Sequence, residues 1–358
     1  MMDFQTLLRT ALDSEASDIF LVPGYYASAK IRGVLKQIDD TRLMPNQIFE
    51  LLTTAYQIAN NRSMDALINS GDDDFSFSVS SVGRFRLNAF RQRGSYAAVL
   101  RCVSYEMPDP VKLHIPKQVT DLYSLRNGMV LVTGAAGSGK STTLACIINR
   151  INTERTGHII TLEDPIEYLH SHKKCIVSQR EIKQDTLSYA AALRAALRQS
   201  PNVILLGEMR DFETIQTAMT AVETGQLLLS SLHTLGAAQT IDRIIDVFPA
   251  GQQQQVRMQF SLVLRAVVSQ QLIPSIDGGV VPAFEVMLSN TAIQNMIREN
   301  KVYQMDNVIH AGQAEGMISM DADILRLYRE GKITRENAVA YAMNPEQMRR
   351  RVEERKMF

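Results

Sequence analysis

The stretch Gly134-Ala135-Ala136-Gly137-Ser138-Gly139-Lys140-Ser141-Thr142 constrains this chain more than any other, because it satisfies G-x-x-x-x-G-K-[ST] at every fixed position. Such a loop works only between a buried strand and the helix that follows it. The apolar run from Met129 to Val132 predicts that strand, and Thr142 to Ile151 predicts the helix. Glycines at 134, 137 and 139 let successive backbone N–H groups curl around phosphate oxygens without a Cβ in the way. The helix N-terminus adds partial positive charge. All nine residues from Gly134 to Thr142 are therefore candidate nucleotide-binding residues, with Lys140 reaching the outer phosphates and the Ser141 hydroxyl on Mg²⁺. A nucleoside triphosphate and Mg²⁺ are the ligands this pattern implies. A bare glycine turn after a buried strand is the plainer reading, and the strand-loop-helix context speaks against it.

A chain of 358 residues is long enough for two domains, each with its own core. Apolar residues make up 45% and charged residues 21%, and no segment has the composition of a disordered tract. The 38 basic residues balance 38 acidic ones, which argues against a protein that coats nucleic acid or an anionic membrane by charge alone. Cys102, Cys146 and Cys175 are widely spaced and form no C-x-x-C pair, as small core residues in a reducing compartment would. Asp3, Arg9 and Asp13 interrupt the region where a signal peptide needs an apolar stretch, and no apolar run is as long as a membrane span. The expectation is a cytoplasmic protein that meets a membrane only through partners.

Residues 3–13 carry Phe4, Leu7, Leu8 and Leu12 at helical spacing, followed by the strand-like Ile19 to Val22. Lys30 to Ile38 reads as one strand and Gln47 to Ala59 as a helix. Phe75, Phe77 and Val79 alternate with polar residues, as a half-buried strand does. Phe85, Leu87 and Ala89 then alternate with Arg84, Arg86 and Asn88, and Ala97 to Val103 completes a sheet. This predicts a small α+β domain over 1–110, then a linker over 111–117 marked by Pro108 and Pro110. From 118 to 290 short apolar runs at Met129–Val132, His158–Leu162, Val203–Leu206 and Leu227–Leu232 alternate with helical stretches, which implies a mostly parallel sheet covered on both faces. A hairpin is expected between Gln270 and Met287, and helices over 291–358. Arg349 to Arg351 against Glu353 and Glu354 reads as a solvated helix surface.

Nucleotide chemistry needs a carboxylate at a second strand end, and Glu208 follows the run from Val203 to Gly207. Glu163, Asp164 and Glu167 follow the strand ending at Leu162. A carboxylate there can polarise an attacking water, and spacing alone does not choose between Glu163 and Glu167. His233 follows the run Leu227–Leu232 and could sense a terminal phosphate, although a His at a strand end is, taken alone, more often structural. Between Phe75 and Tyr105 stand Arg84, Arg86, Arg91, Arg93 and Arg101 with no acidic residue among them, an uncompensated guanidinium group that calls for an anion. Arg84 and Arg86 share a strand face and could reach a neighbour's nucleotide as arginine fingers, an effect worth about 10³ to 10⁵ in rate. Arg194 and Arg198 share a helix face, open to solvent or to phosphate. His170 and His172, without further ligands nearby, read as a surface loop rather than a metal site.

Four blocks occur in order: GAAGSGKSTT, TLEDPIEY, VILLGEMRDFET and TGQLLLSSLHT. Together they resemble the Walker A, Asp box, Walker B and His box of the secretion-superfamily ATPases, most closely the PilT-type retraction ATPases of type IV pili. RFRLNAFRQRG, QTIDRIIDVFPAGQQQQVR and TAIQNMIREN extend the likeness to nearly the whole chain. The resemblance implies a PAS-like N-terminal domain, a RecA-like P-loop ATPase domain with a helical C-terminal part, and a ring of six subunits with ATP at each interface. It implies Glu167 as the catalytic glutamate and Glu208 as the Walker B glutamate that helps to hold Mg²⁺ with Ser141. It also implies Arg84 and Arg86 as arginine fingers, and Arg194 and His233 near the γ-phosphate. The chain makes three departures from the pattern: Gln226 replaces the first His of the His box, Gln294 replaces an Arg of A-I-R-N-L-I-R-E, and Ala135-Ala136 replaces Pro-Thr.

The function expected from the resemblance is a Mg²⁺-dependent homohexameric ATPase that drives pilus retraction through an inner-membrane platform protein, peripheral at the cytoplasmic face and without nucleic acid. A pilus-assembly or type II secretion ATPase is the rival, but such relatives usually carry a longer N-terminal extension and a tetracysteine module. An accessory retraction motor, a RecA-like DNA motor and a nucleotide-gated scaffold are the other readings. GTP specificity is disfavoured because Asn300-Lys301 is followed by Val302-Tyr303 and not by x-Asp.

Overall fold

Two hydrophobic patterns, alternating in the first third and continuous after it, produce two different sheets. The computed structural model describes residues 3–31, 33–103 and 106–353. The chain divides into two units, one made of Met1–Glu106 with Pro165–Leu169 and the other of Met107–Asp164 with His170–Phe358.

The first unit runs α1 (Phe4–Asp13), β1 (Ala16–Leu21), β2 (Tyr26–Ile31), β3 (Val34–Arg42), α2 (Pro45–Ile58), α3 (Asp65–Ser70), β4 (Asp72–Val79), β5 (Gly83–Gln92) and β6 (Ser95–Val103). The strands form one antiparallel sheet in the order β3-β2-β1-β6-β5-β4. Asp3 starts α1 by accepting the N–H groups of Gln5 and Thr6, and the helix buries Phe4, Leu7, Leu8 and Ala11 against the sheet. Phe77 stands between Phe4 and Phe85, with ring centroids 6.1 and 5.7 Å away. As the alternation predicts, Phe85, Leu87 and Ala89 are fully buried. The stretch Lys30 to Ile38 is not one strand. Gly33, at φ +82°, turns the chain so that β2 and β3 pair as a hairpin, with Ile31 opposite Val34. Arg32 of that stretch lies outside the described residues.

The second unit holds α4 (Lys117–Thr120), β7 (Gly128–Thr133), α5 (Lys140–Glu154), β8 (Gly157–Glu163), β9 (Cys175–Glu181), α6 (Tyr189–Ala196), β10 (Val203–Leu206), α7 (Phe212–Glu223), β11 (Leu227–Leu232), α8 (Ala237–Asp246), α9 (Ala250–Val263), β12 (Leu264–Pro274) and β13 (Val280–Leu288). The sheet order is β13-β12-β7-β11-β10-β8-β9, and every pair is parallel except β12 with β13. A period of two hides inside the continuous apolar runs. Met129, Leu131, Ile204 and Leu206 enter one core, while Val130, Val132, Val203 and Leu205 enter the core on the opposite face. Both faces are covered, so alternation of polarity has no place there. The hairpin expected from Gln270 starts earlier, since α9 ends at Val263 and β12 begins at Leu264. Strand β9 lacked a clear signal because its outward residues, from Ile176 to Arg180, are mixed in character.

The C-terminal helices are α10 (Thr291–Arg298), α11 (Met305–Ala311), α12 (Met320–Arg329), α13 (Arg335–Tyr341) and α14 (Pro345–Glu353). Ile273, Val281 and Ala283 of the β12–β13 hairpin pack with Met320, Ile324, Leu327, Ile333 and Met348 in a separate core. Arg349 and Arg350 are exposed on α14, as expected of a solvated surface, and Glu354 lies outside the described residues. Among the described residues no helix is long and apolar enough to cross a membrane.

Candidate functional site

Strand β7 ends at Thr133, and Gly134 leaves it at φ +143°. A Cβ on Gly134 would lie 2.3 Å from the backbone oxygen of Gln270 and 2.7 Å from Ser138 Oγ. On Gly139, at φ +88°, a Cβ would lie 2.8 Å from the Gln270 side-chain nitrogen. Strand β12 thus forms the floor of the loop, and only glycine permits so close an approach. The buried Thr143 hydroxyl donates to Gln270 Oε1 at 2.7 Å and fastens the first turn of α5 to the same floor. Lys140, 8% exposed, donates from Nζ to the carbonyl oxygens of Gly134 at 2.9 Å and Ala135 at 2.8 Å. The Ser138 hydroxyl is buried without a hydrogen-bond partner. A cradle that a Cβ would fill, a buried ammonium and an orphaned hydroxyl together form a donor set for a multiply charged oxyanion, and a triphosphate fits it. Ser141 and Thr142 follow in the first turn of α5.

Three further strand ends bring their side chains to the same carboxyl edge of the sheet. The Gly207 N–H donates to Leu162 O at 2.8 Å and its carbonyl accepts the Ser231 hydroxyl at 2.6 Å, so the residue before Glu208 is tied to both neighbouring strands. Asp211 then caps α7 through Thr214 N and fixes the turn that carries Glu208. Glu208 Oε2 lies 2.7 Å from Arg210 Nε and 3.6 Å from His233 Nε2. Glu163 Oε1 accepts from Thr161 Oγ1 at 2.6 Å and from Gln179 Nε2 at 3.3 Å. Tyr189, whose hydroxyl lies under Gly207, has its ionisation pushed well above the ordinary phenol range by burial and then by the carboxylates of Glu208, Asp164 and Glu163. It therefore stays neutral among three acids.

The remaining expected residues fall elsewhere. Glu167 is exposed and lies in Pro165–Leu169, the segment counted with the first unit. Arg84 and Arg86 share one face of β5, as the alternation implies. The arginines near them are not uncompensated. Asp74, one residue before the acid-free stretch, takes a two-pronged bond from Arg86 at 2.9 and 2.6 Å, and Asp18 from β1 bonds Arg101 at 3.2 Å. Strand pairing supplied carboxylates that linear spacing could not show. Arg84 donates to Ser78 Oγ at 3.3 Å. Arg194 is half-exposed on α6 and pairs with Glu213 at 2.5 Å, while Arg198 lies exposed past the helix end. His170 lies half-buried in the irregular segment before β9, where burial lowers its ionisation to about 4, and His172 is exposed in the same segment. No group of three or more His, Cys, Asp and Glu side chains suited to a metal ion occurs among the described residues.

Sequence reading missed Gln270, Thr143, Tyr189 and Arg210. Gln270 had a signal, because a polar side chain inside Val267-Val268-Ser269-Gln270 is unusual for a strand buried on both faces.

A family model described as "Type II/IV secretion system protein" matches residues 2–314. The type IV pilus retraction ATPase PilT of Pseudomonas aeruginosa is 43% identical over 345 residues, covering 96% of this chain and 99% of that protein. A twitching motility protein of Neisseria gonorrhoeae is 42% identical over 344 residues, covering 96% of this chain and 91% of its own length. The crystal structure of the pilus retraction motor PilT with bound ADP superposes with a TM-score of 0.89 at 45% identity, covering 98% of this chain and all of that one.

Proposed function

Because the chain belongs to the type II/IV secretion system protein family, and is an ATPase of that family, we propose that it is the motor that powers type IV pilus retraction. The observation that carries the reading is the convergence of the phosphate loop, Glu208 and His233 at one sheet edge. Similarity to retraction motors over almost the full length supports disassembly of the pilus rather than its assembly.

In this reading Lys140 and the loop N–H groups bind the triphosphate, and Ser141 with Glu208 would hold Mg²⁺. The metal supplies charge neutralisation at the phosphates when it is bound. Glu167 polarises the attacking water, and Arg210, 2.7 Å away, keeps Glu208 in place. His233 and Arg194 approach the terminal phosphate, and Arg84 and Arg86 of a neighbouring copy complete the pocket within a homohexamer. The bond from Arg86 to Asp74 must then open or be shared when the arginine meets phosphate. The ring works at the cytoplasmic face of the inner membrane against a platform protein and needs no nucleic acid.

The test is to purify Lys140→Ala and Glu167→Gln. Both should assemble as the wild type does and lack ATP hydrolysis, and Glu167→Gln should still bind nucleotide. Turnover at the wild-type rate in either variant would refute the assignment of the site, and pili that still retract after deletion of the gene would refute the motor role.

A further inference from the structure

Strand β13 carries one acid in an apolar setting. Glu285 is 6% exposed, between the buried Phe284 and Val286. Its Oε1 accepts the N–H of Ala237 at 2.8 Å, and the N–H of Met320 also approaches the carboxylate and favours its charged form. Ala237 opens α8 and Met320 opens α12, and the N-cap residues of these helices, Gly236 and Ser319, form no side-chain cap bond. One buried carboxylate therefore caps two helices from a third element, where helix N–H groups favour negative charge. Ser269, directly opposite Glu285 across the hairpin, accepts the N–H of Gly236 at 2.9 Å. Two consecutive N–H groups at the start of α8 are thus pinned to the β12–β13 pair.

The pinned point lies close behind the catalytic edge. His233 leaves β11 and faces Glu208, Thr234 is braced by the hydroxyl of Thr240 at 2.8 Å, and Gly236 and Ala237 follow at once. On its other side the joint borders a cavity of about 690 Å³, lined among others by Asp306, His310, Asp321 and Arg351.

We propose that Glu285 is a positioning residue: with Ser269 it anchors the start of α8 and so sets the stance of His233 toward Glu208, while its approach to the Met320 N–H links that anchor to α12. The inference rests on the reading of His233 as a group that acts in hydrolysis. It makes the C-terminal helices sense the strand end where the phosphate is cleaved.

The experiment is steady-state ATP hydrolysis by the full chain carrying Glu285→Gln, Ser269→Ala, His233→Ala, or Glu285→Gln with His233→Ala. Glutamine keeps the shape but offers one acceptor oxygen to two N–H donors. Glu285→Gln and Ser269→Ala should each lower kcat about tenfold and leave KM and nucleotide affinity within about twofold. In the His233→Ala background Glu285→Gln should cause no further loss, since both act through one group. Should Glu285→Gln fail to fold, Ser269→Ala carries the test alone. Full kcat in the anchor variants, multiplying losses in the double variant, or affinity falling in step with kcat would each overturn the proposal. Full kcat in His233→Ala would overturn the role of His233 and the proposal with it, whereas an impaired His233→Ala beside an unimpaired Glu285→Gln would overturn the proposal alone.

Discussion

Replacing Glu285 by Gln should change the stability of the second unit by an amount that depends on pH. Burial raises the Glu285 carboxyl from its ordinary 4.5 to about 7, with Asp306 and Asp321 adding to the rise and the N–H groups of Ala237 and Met320 opposing it. Because the folded value lies above the unfolded one, the native state binds the proton more tightly. The stabilisation this brings is fully present below pH 4.5 and is lost as pH rises through about 7. Between pH 5 and pH 8 the wild type should lose roughly 2.5 kcal/mol by this route. Gln does not titrate and escapes that loss, although it leaves one N–H donor unmatched at every pH, at about 1–3 kcal/mol. The variant should therefore be the less stable protein at pH 5 and close to parity at pH 8. Urea unfolding followed by circular dichroism measures the difference, because the chain has no tryptophan to report by fluorescence. A gap between variant and wild type that stays constant to within about 0.5 kcal/mol from pH 5 to pH 8 would refute the argument, since it would mean that Glu285 is ionised throughout. Near-parity at pH 8 also makes that pH the right one for the kinetic comparison, where lost activity then cannot be ascribed to unfolding.

Gly139→Ala places a Cβ 2.8 Å from the Gln270 amide at a φ of +88°, so the loop must distort. Affinity for a fluorescent ATP analogue should fall about tenfold or more, and unchanged affinity would show that the loop does not need this approach to β12. In the first unit the Tyr56 hydroxyl donates to Asp73 at 2.9 Å, and Arg62 holds the same carboxylate at 2.9 and 3.0 Å. Tyr56→Phe should lower stability by about 1 kcal/mol because Arg62 still satisfies the acid, while Asp73→Ala should lower it by about 3 kcal/mol by leaving a buried hydroxyl and a guanidinium without their acceptor. Equal losses in the two variants, read by thermal unfolding, would count against the shared network.

The features legible in the amino-acid order were those written in contiguous residues. The phosphate loop needs glycines, a lysine and a hydroxyl at set spacings between a strand and a helix, and all of these are local. The runs Val203–Leu206 and Leu227–Leu232 matched their strands to the residue, because Asn202, Gly207, Gln226 and His233 bound them, while the small Ser230 and Ser231 are admitted to the buried strand. Glu208 and His233 could be placed at strand ends for the same reason. The hairpin at Gly33 was read as one strand because the residues on both sides of the turn have similar β-forming character.

Everything that depends on which strand lies beside which was decided by tertiary structure. Asp74 and Asp18 neutralise arginines that looked bare along the chain, because antiparallel pairing sets Asp74 opposite Asn88 and so diagonally across from Arg86, within reach of its guanidinium. Gln270 lies under Gly134 and Gly139 only because β12 crosses over to pair with β7. Glu285 becomes a cap for two helices because its strand passes beneath both N-termini. Chemistry carried by neighbours in sequence is set by covalent spacing, whereas burial, ion pairing and shifted ionisation arise from groups that only folding brings within a few ångströms.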